Sequence, residues 1–87
     1  MWYVYVIYSI KFDRIYVGMS ENPERRLRDH NSLKVESTKA YTPWKIVMIE
    51  EVGDSTEARE LEKYYKSAAG KRKIKLILQK SLGSLPD

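Results

Sequence analysis

An arginine and the chain's single histidine lie close to a short apolar strand that contains a glycine. The stretch RIYVGMSENPERRLRDH, residues 14–30, contains Tyr16, Gly18, Arg26 and His30. Arg26 and His30 are four residues apart, so on a helix their side chains share one face. An arginine in that position is suited to a two-point contact with a phosphate group. The alternative is a solvated helix whose histidine only makes ordinary structural hydrogen bonds.

A glutamate interrupts the apolar stripe of another predicted helix. Ala58, Leu61 and Tyr65 follow an i, i+3, i+7 spacing, which is typical of a helix face that packs on a sheet. Glu62 falls on the same face. A carboxylate that loses its hydration there must be paired, protonated or bound to a metal. Two interpretations stay open: an ion pair with an arginine, and a metal ligand that faces a cleft.

Two tyrosines, Tyr5 and Tyr16, fall on two runs that we expect to pair as a hairpin. If the turn is centred near Ile10 and Lys11, the two tyrosines come nearly opposite each other. Aromatic cross-strand pairs are usually structural, and a one-residue shift of register would reverse their facing. Their hydroxyls gain a chemical role only if they converge on the same cleft as Arg26.

Three predicted strands would form the sheet that positions these side chains. Residues 2–9 (WYVYVIYS) are apolar on both faces, which predicts a central strand. Residues 10–13 predict a turn, and residues 14–19 predict a second strand, antiparallel to the first. Residues 31–42 show no sustained period and predict a loop, and residues 44–52 predict the third strand.

Helices are predicted between and after these strands. The first is expected over residues 23–30, because asparagine is a favoured N-cap and proline a favoured first residue. The second is expected to start from a cap at residue 54 or 55 and to end at about residue 69, where Gly70 is a stop signal. Residues 71–82 are expected to form a last helix. The predicted order is β-β-α-β-α-α, a small α/β (α+β) fold with a three-stranded antiparallel sheet flanked by helices.

Length and composition limit the possible kinds of site. The chain has 87 residues, which suits one domain; we expect it over residues 1–80, followed by a flexible tail over residues 81–87. The absence of cysteine excludes a disulfide framework and a thiolate zinc site. A single histidine excludes a multi-histidine metal site, so a metal would be held by carboxylates, carbonyls and water, as magnesium, manganese or calcium are.

The net charge suits an anionic partner, and the hydropathy suits an intracellular protein. The net charge is +4 and the pI is near 9.3, which suits a polyanion without requiring one. No stretch of the sequence is long and apolar enough to cross a membrane, and the first residues do not have the pattern of a secretory signal. We therefore expect a cytoplasmic protein without a membrane partner.

The motifs, in this order, resemble those of the GIY-YIG nuclease domain, from residue 2 to the end of the second predicted helix. The family is named for two motifs, GIY and YIG. The first is represented here by YVY, residues 3–5, and the second by YVG, residues 16–18. TPWK, residues 42–45, also looks like the small single-domain members of this family. Tyr3 stands where the first motif usually has glycine, as small stand-alone members often have an aromatic residue there. The asparagine that some members use after the acidic helix cannot be placed.

The resemblance implies hydrolysis of a DNA phosphodiester with one divalent metal, Mg²⁺ or Mn²⁺. The family's acidic residue, in a pattern like A-x-x-x-E, falls on Glu62, which would hold the metal. Its arginine falls on Arg26, which would hold the scissile phosphate. A tyrosine, in the first place Tyr5, would activate the attacking water, while Tyr16 and His30 would position that tyrosine or the phosphate. An unperturbed tyrosine titrates near pKa 10, so such a base predicts that activity rises with pH above neutrality.

Basic residues outside this set would hold the nucleic-acid backbone through salt-dependent contacts that do not read bases. They are Arg25, Arg28, Lys39, Lys45, Lys66, Lys71, Arg72, Lys73 and Lys75. For each lysine alone, a solvated surface position is the alternative. Because the sequence has no base-reading motif, selectivity would be for nucleic-acid structure or would come from a protein partner. The presence of the whole catalytic set favours an enzyme; the alternative is a non-catalytic or partner-dependent nucleic-acid-binding module.

Overall fold

A three-stranded antiparallel sheet is the centre of the computed structural model, which describes residues 1–81. The strands β1 (Trp2–Ser9), β2 (Arg14–Ser20) and β3 (Lys45–Val52) lie in the order β2-β1-β3. β1 pairs antiparallel with both neighbours, and residues 4–9 are all buried. The predicted central position of the first strand is confirmed, because a strand covered on both faces is apolar throughout.

Three α-helices and one short 3-10 helix complete the described chain. They are α1 (Pro23–Asn31), the 3-10 helix Lys39–Tyr41, α2 (Ser55–Lys66) and α3 (Ala68–Ser81). The predicted α+β order is confirmed, with the 3-10 helix inside the segment predicted as a loop. Within residues 1–81, no helix has the length and apolar character needed to cross a membrane. Of the predicted tail, Ser81 ends α3, and residues 82–87 lie outside the described residues.

Side-chain caps fix where α1 and α2 begin. The Asn22 carboxamide oxygen accepts a hydrogen bond of 3.1 Å from the backbone N–H of Arg25. The Asp54 carboxylate accepts one of 2.9 Å from the backbone N–H of Glu57. Each cap satisfies a backbone donor that has no partner within its own helix, so Asp54 rather than Ser55 is the cap of α2.

The prediction that the second helix continues to a stop at Gly70 is wrong. α2 ends at Lys66, Ser67 has an extended backbone with ψ 169°, and α3 begins with the next residue. The Ser67 hydroxyl oxygen accepts a hydrogen bond of 3.3 Å from the backbone N–H of Gly70, so Ser67 caps α3. A Cβ atom at Gly70 would collide with the carbonyl oxygen of Tyr64. The glycine therefore allows the two helices to approach closely instead of ending one of them.

The sheet separates two apolar clusters because successive side chains of a strand point to opposite faces. Even-numbered residues of β1 pack against α2 and α3 in a cluster of Val4, Val6, Tyr8, Val17, Ala58, Tyr65, Ile74 and Leu78. Odd-numbered residues of β1 form the second cluster, in which Tyr5, Ile7 and Trp44 pack with Tyr16, Leu27, Tyr41 and Ile46. Tyr5 and Tyr16 thus share the face that α1 covers.

The register of the hairpin is shifted by two residues from the predicted one. Tyr5 lies opposite Gly18, and Tyr16 lies opposite Ile7. The turn spans residues 10–13, as predicted, but its centre lies one residue after the Ile10–Lys11 position that the expected pairing assumed. The two tyrosines are therefore diagonal neighbours, not nearly opposite each other. A shift of two residues keeps both side chains on one face because the side-chain period of a strand is two.

Candidate active site

His30 is completely buried and makes hydrogen bonds through both ring nitrogens. Its Nε2 lies 2.9 Å from Tyr5 Oη, and its Nδ1 lies 2.8 Å from Thr38 Oγ1. The Thr38 hydroxyl donates to the carbonyl oxygen of Val35 at 3.4 Å, so its oxygen is left to accept from Nδ1–H. In this arrangement Nε2 carries no proton and accepts the hydrogen bond that the Tyr5 phenol donates.

Burial keeps both partners of this hydrogen bond neutral. Desolvation, with the nearby charge of Arg26, lowers the pKa of His30 from its ordinary 6.5. Desolvation, with the neighbouring Tyr16, raises the pKa of Tyr5 from 10.0 to about 12; Glu62 adds to the rise and Arg26 opposes it. At neutral pH the site therefore presents an uncharged imidazole to a protonated phenol.

Gly18 leaves the space that the Tyr5 ring occupies. A Cβ atom at Gly18 would lie 2.5 Å from Tyr5 Oη and 3.0 Å from Cε1 of Tyr16. The ring centroids of the two tyrosines are 6.4 Å apart, and that of Tyr16 is 4.8 Å from that of His30. The glycine lies within β2, two residues before the strand ends. Its place follows from the close approach of the tyrosines, because no larger residue fits under them.

Arg26 lies at the edge of this aromatic cluster and remains open to solvent. Its side chain is 38% exposed, and its Nη1 lies 3.2 Å from Asp29 Oδ2. Its charge acts on the pKa values of both Tyr5 and His30, so it lies beside their hydrogen bond. A guanidinium group has five N–H donors, so Arg26 can bind an anion while it keeps its contact with Asp29.

Glu62 lies on α2 and is paired with a lysine of its own helix. Its side chain is 18% exposed, and its Oε2 lies 3.5 Å from Lys66 Nζ. The ion pair with an arginine that we considered from the sequence is not the one formed. Because Lys66 is 56% exposed, the pair is worth only about 0–1 kcal/mol, and a divalent cation can displace the lysine. The Glu62 charge also acts on Tyr5.

The donors suit a metal that is shared with a substrate. Within residues 1–81 no group of three or more His, Cys, Asp or Glu could hold a metal ion by itself. Mg²⁺ is commonly bound through one or two carboxylates, with water and substrate phosphates as the other ligands. Glu62 fits this pattern, since its carboxylate is largely shielded from solvent and already attracts a cation.

The structure places some of the predicted basic residues beside the cluster. Arg25 and Arg26 line a cleft of about 390 Å³ together with Ser20 and Asp29. Tyr16 lines a second cleft, of about 460 Å³, together with Lys66, Lys71 and Lys75. These clefts border the aromatic cluster, because each contains one of its members or Arg26.

Other predicted basic residues have different surroundings. Lys39 Nζ lies 2.7 Å from Glu36 Oε2, and Lys73 Nζ lies 5.6 Å from the centre of the Tyr65 ring. Lys45 lines a third cavity, beside the hairpin turn. Arg28 and Arg72 are exposed. None of these five residues lines the two clefts beside the aromatic cluster.

Sequence reasoning missed two residues that hold His30 in place. Thr38 is 1% exposed, binds His30 Nδ1, and accepts a hydrogen bond of 3.0 Å from Trp44 Nε1 through its carbonyl oxygen. The Asn31 carboxamide pairs with the backbone of Trp44, at 2.6 and 2.9 Å. Both lie in the segment without periodicity, where only a long-range contact distinguishes a structural threonine or asparagine from a loop residue.

Comparisons with known proteins agree with this fold and these motifs. The family model described as the GIY-YIG catalytic domain matches residues 1–75. A UPF0213 protein of Clostridium perfringens is 32% identical over 81 residues, which cover 92% of this chain and 86% of that protein. A UPF0213 protein of Bacillus licheniformis is 34% identical over 79 residues, which cover 90% and 80%. No solved structure matches significantly.

Proposed function

This chain belongs to the GIY-YIG family, and from that premise we propose that it is a metal-dependent endonuclease that hydrolyses DNA phosphodiester bonds. The observation that carries the proposal is the buried hydrogen bond between Tyr5 Oη and His30 Nε2, 2.9 Å long. Arg26 and Glu62 are both close enough to act on the pKa of Tyr5. A tyrosine–histidine pair with a purely structural role needs neither an open arginine nor an acidic residue of a second helix that acts on the tyrosine.

Tyr5 activates the attacking water by passing its own proton on. With a pKa of about 12, Tyr5 is a phenol at neutral pH, so a tyrosinate is not the resting base. Its oxygen receives one proton from the water while its O–H proton moves to His30 Nε2. The water oxygen bonds to phosphorus as the bond from phosphorus to the 3′ oxygen breaks and its electron pair leaves on that oxygen, and His30 ends as an imidazolium whose Nδ1–H stays bound to Thr38. Neutral His30 is thus the proton acceptor, and Tyr5 relays the proton to it.

Arg26 and Glu62 contribute to stabilising the negative charge that develops on the phosphate and the leaving group. Arg26 donates to a non-bridging oxygen of the scissile phosphate and stabilises the negative charge that develops there. Glu62 would hold Mg²⁺ or Mn²⁺ in place of its contact with Lys66, and the chemistry supplied there would be Lewis-acid stabilisation of the leaving 3′ oxygen. Tyr16, whose ring lies 4.8 Å from that of His30, fixes the orientation of the imidazole by packing.

Binding of nucleic acid by this protein is independent of base sequence. Arg25, Lys66 and Lys71 line the clefts beside the aromatic cluster, and contacts of lysine and arginine with phosphates position a strand without reading it. Selectivity then depends on the structure of the nucleic acid or on a protein partner. The protein acts in the cytoplasm, where its substrate DNA lies.

A cleavage assay tests the proposal. Labelled supercoiled, branched and single-stranded DNA is incubated with Mg²⁺ or Mn²⁺ at low salt, using the wild type, Arg26→Ala and Glu62→Gln. The matched controls are Arg59→Ala and Glu60→Gln, both at exposed positions of α2. We expect metal-dependent cleavage that the two site variants lose by at least about a hundredfold and that the controls retain.

One result would contradict the endonuclease, and a second would contradict the role of Glu62. Equal background cleavage by all five proteins, with DNA still bound, would leave a nucleic-acid-binding module that cuts nothing by itself. Cleavage that Glu62→Gln retains would show a nuclease whose metal is held elsewhere. Circular dichroism of each variant separates a lost reaction from a lost fold.

A further inference from the structure

A groove runs along the edge strand β2, where α2 and α3 pack beside it. Ile15, Tyr16 and Val17 form one wall, and Tyr65 and Lys66 at the end of α2 begin the other. Residues 71–75 of α3 complete it through Lys71, Ile74 and Lys75. The groove has a volume of about 460 Å³, which lies within the range of about 300–1,000 Å³ that is typical of pockets for small organic groups.

The groove is continuous with the candidate active site. Tyr16 lines it and also packs on His30, with ring centroids 4.8 Å apart. Lys66 lines it and also lies 3.5 Å from the Glu62 carboxylate. A strand whose scissile phosphate lies between Arg26 and Glu62 therefore enters the groove with its adjacent nucleotide.

The walls of the groove combine two chemistries. Lys66, Lys71 and Lys75 are exposed at its rim, and no acidic residue among residues 1–81 lines it. Between them lies an apolar floor, in which Val17 is 6% exposed and Ile74 is 1% exposed. Lysines alone would be enough to hold the phosphates of a stacked duplex. An apolar floor between them suits a flat, weakly polar group that carries phosphates at its ends.

We propose that this groove holds one nucleotide next to the scissile phosphate, with its base outside the helical stack and against Ile15, over the buried Val17 and Ile74, and its phosphates on Lys71 and Lys75. The inference rests on the proposed nuclease function and adds a base-binding subsite to it. Since bases in a duplex are stacked and cannot reach such a floor, the nucleotide must be unpaired or turned out of the stack. The contact is tolerant of base identity, because every base has an apolar face.

A binding experiment without divalent metal tests the groove separately from cleavage. Fluorescence anisotropy compares a short single-stranded oligonucleotide with the same sugar–phosphate chain that lacks every base. For the wild type we expect about tenfold tighter binding of the chain that has bases, which is within the range for one base contact. Ile15→Thr should remove most of that difference. Ile49→Thr, a matched change at an exposed position of β3, should leave it intact.

The lysines give a second, distinct signature. Lys71→Ala and Lys75→Ala should weaken binding of both chains by the same factor and reduce the dependence on salt. Lys63→Ala on α2, exposed and outside the groove, should change neither. Equal affinity of the wild type for the two chains would overturn the proposal, as would an Ile15→Thr effect that is the same on both. An acidic peptide of equal charge that competes as well as the oligonucleotide would also overturn it.

Photocross-linking covers the case in which Ile15→Thr fails to fold. An oligonucleotide with a photoreactive thiopyrimidine is cross-linked to the wild type, and the attached peptides are mapped by mass spectrometry. Cross-links to residues 15–17 or 71–75 support the groove, and cross-links only elsewhere refute it. Base-dependent binding without cleavage would contradict the nuclease proposal and support the groove as a base-binding site. Cleavage with base-independent binding would contradict only the proposal for the groove.

Discussion

The pH dependence of cleavage is expected to report the titration of His30 and not the formation of a tyrosinate. Because burial lowers the pKa of His30 below its ordinary 6.5, the imidazole is neutral and able to accept a proton throughout the range from pH 7 to 9. We therefore expect kcat/KM to be constant over that range. Below the lowered pKa it should fall about tenfold per pH unit, since protonated His30 cannot accept the proton of Tyr5.

The pH dependence that a tyrosinate base would give follows from the pKa of Tyr5. Its pKa of about 12 means that only about one molecule in 100,000 carries a tyrosinate at pH 7. If that tyrosinate were the base, kcat/KM would rise about tenfold per unit, or about a hundredfold between pH 7 and 9. The sequence, which assumes an ordinary tyrosine helped by its neighbours, predicts such a rise. Burial of Tyr5 in the folded protein favours the flat profile.

The assay measures single-turnover cleavage from pH 4.5 to 9 at constant ionic strength, first with Mg²⁺ and then with Mn²⁺. The two profiles should have the same shape, because the titrating group is His30. An ionisation of metal-bound water would instead shift the profile when the metal is changed. A hundredfold rise from pH 7 to 9 would refute the relay through neutral His30. Such a result would restore the tyrosinate as the base.

Loss of folding must be separated from loss of catalysis in the acid range. The pKa of His30 is depressed in the folded protein, so the unfolded chain binds the proton more tightly. The contribution of His30 to stability is therefore present above its unfolded pKa of about 6.5 and is lost as the pH falls through the folded value. Far-ultraviolet circular dichroism at each pH gives the folded fraction, by which the rates are corrected.

Three further predictions concern single positions. Gly18→Ala places a methyl group 2.5 Å from the Tyr5 hydroxyl and should lower the free energy of unfolding by about 1–3 kcal/mol and remove most of the activity. Gly53→Ala meets only an exposed carboxylate and should change the free energy of unfolding by no more than about 0.5 kcal/mol. Urea unfolding compares the two variants. Thr38→Val leaves the buried imidazole Nδ1 without its partner and should cost about 1–3 kcal/mol, against little change for the exposed Thr56→Val; equal stabilities of the two variants would contradict a stabilising hydrogen bond between Thr38 and His30. Lys66→Ala removes the ammonium group that competes for the metal-binding carboxylate and should tighten Mn²⁺ binding, measured by electron paramagnetic resonance without DNA, by up to about fivefold; weaker binding would show that the lysine does not compete.

Local chemistry in the sequence determined the elements and their order. The apolar run of β1 predicted a central strand because both of its faces are covered. Asn22 with Pro23, and Asp54, are caps that act within three residues of themselves, so the starts of α1 and α2 could be predicted without any tertiary contact. The motif residues were likewise found from their spacing along the chain and its resemblance to a family.

Boundaries that depend on packing were not predictable in this way. Gly70 is an ordinary stop signal by composition, yet it lies in the first turn of α3, where its missing side chain lets α3 approach the end of α2. Ser67 ends one helix and caps the next, and nothing local distinguishes it from a serine inside a helix. The register of the hairpin also depended on where within residues 10–13 the turn is centred, which the sequence does not mark.

Only the tertiary structure decided the protonation states and partners within the site. The sequence named Tyr5 and His30, but their hydrogen bond joins residues 25 apart in the chain. Desolvation by the surrounding fold, a property of the packed state, raises the pKa of Tyr5 and lowers that of His30. Thr38, which fixes the histidine tautomer, lies in a segment without periodicity. The residue types that can do the chemistry are thus written in the sequence, whereas burial decides which of them holds the proton.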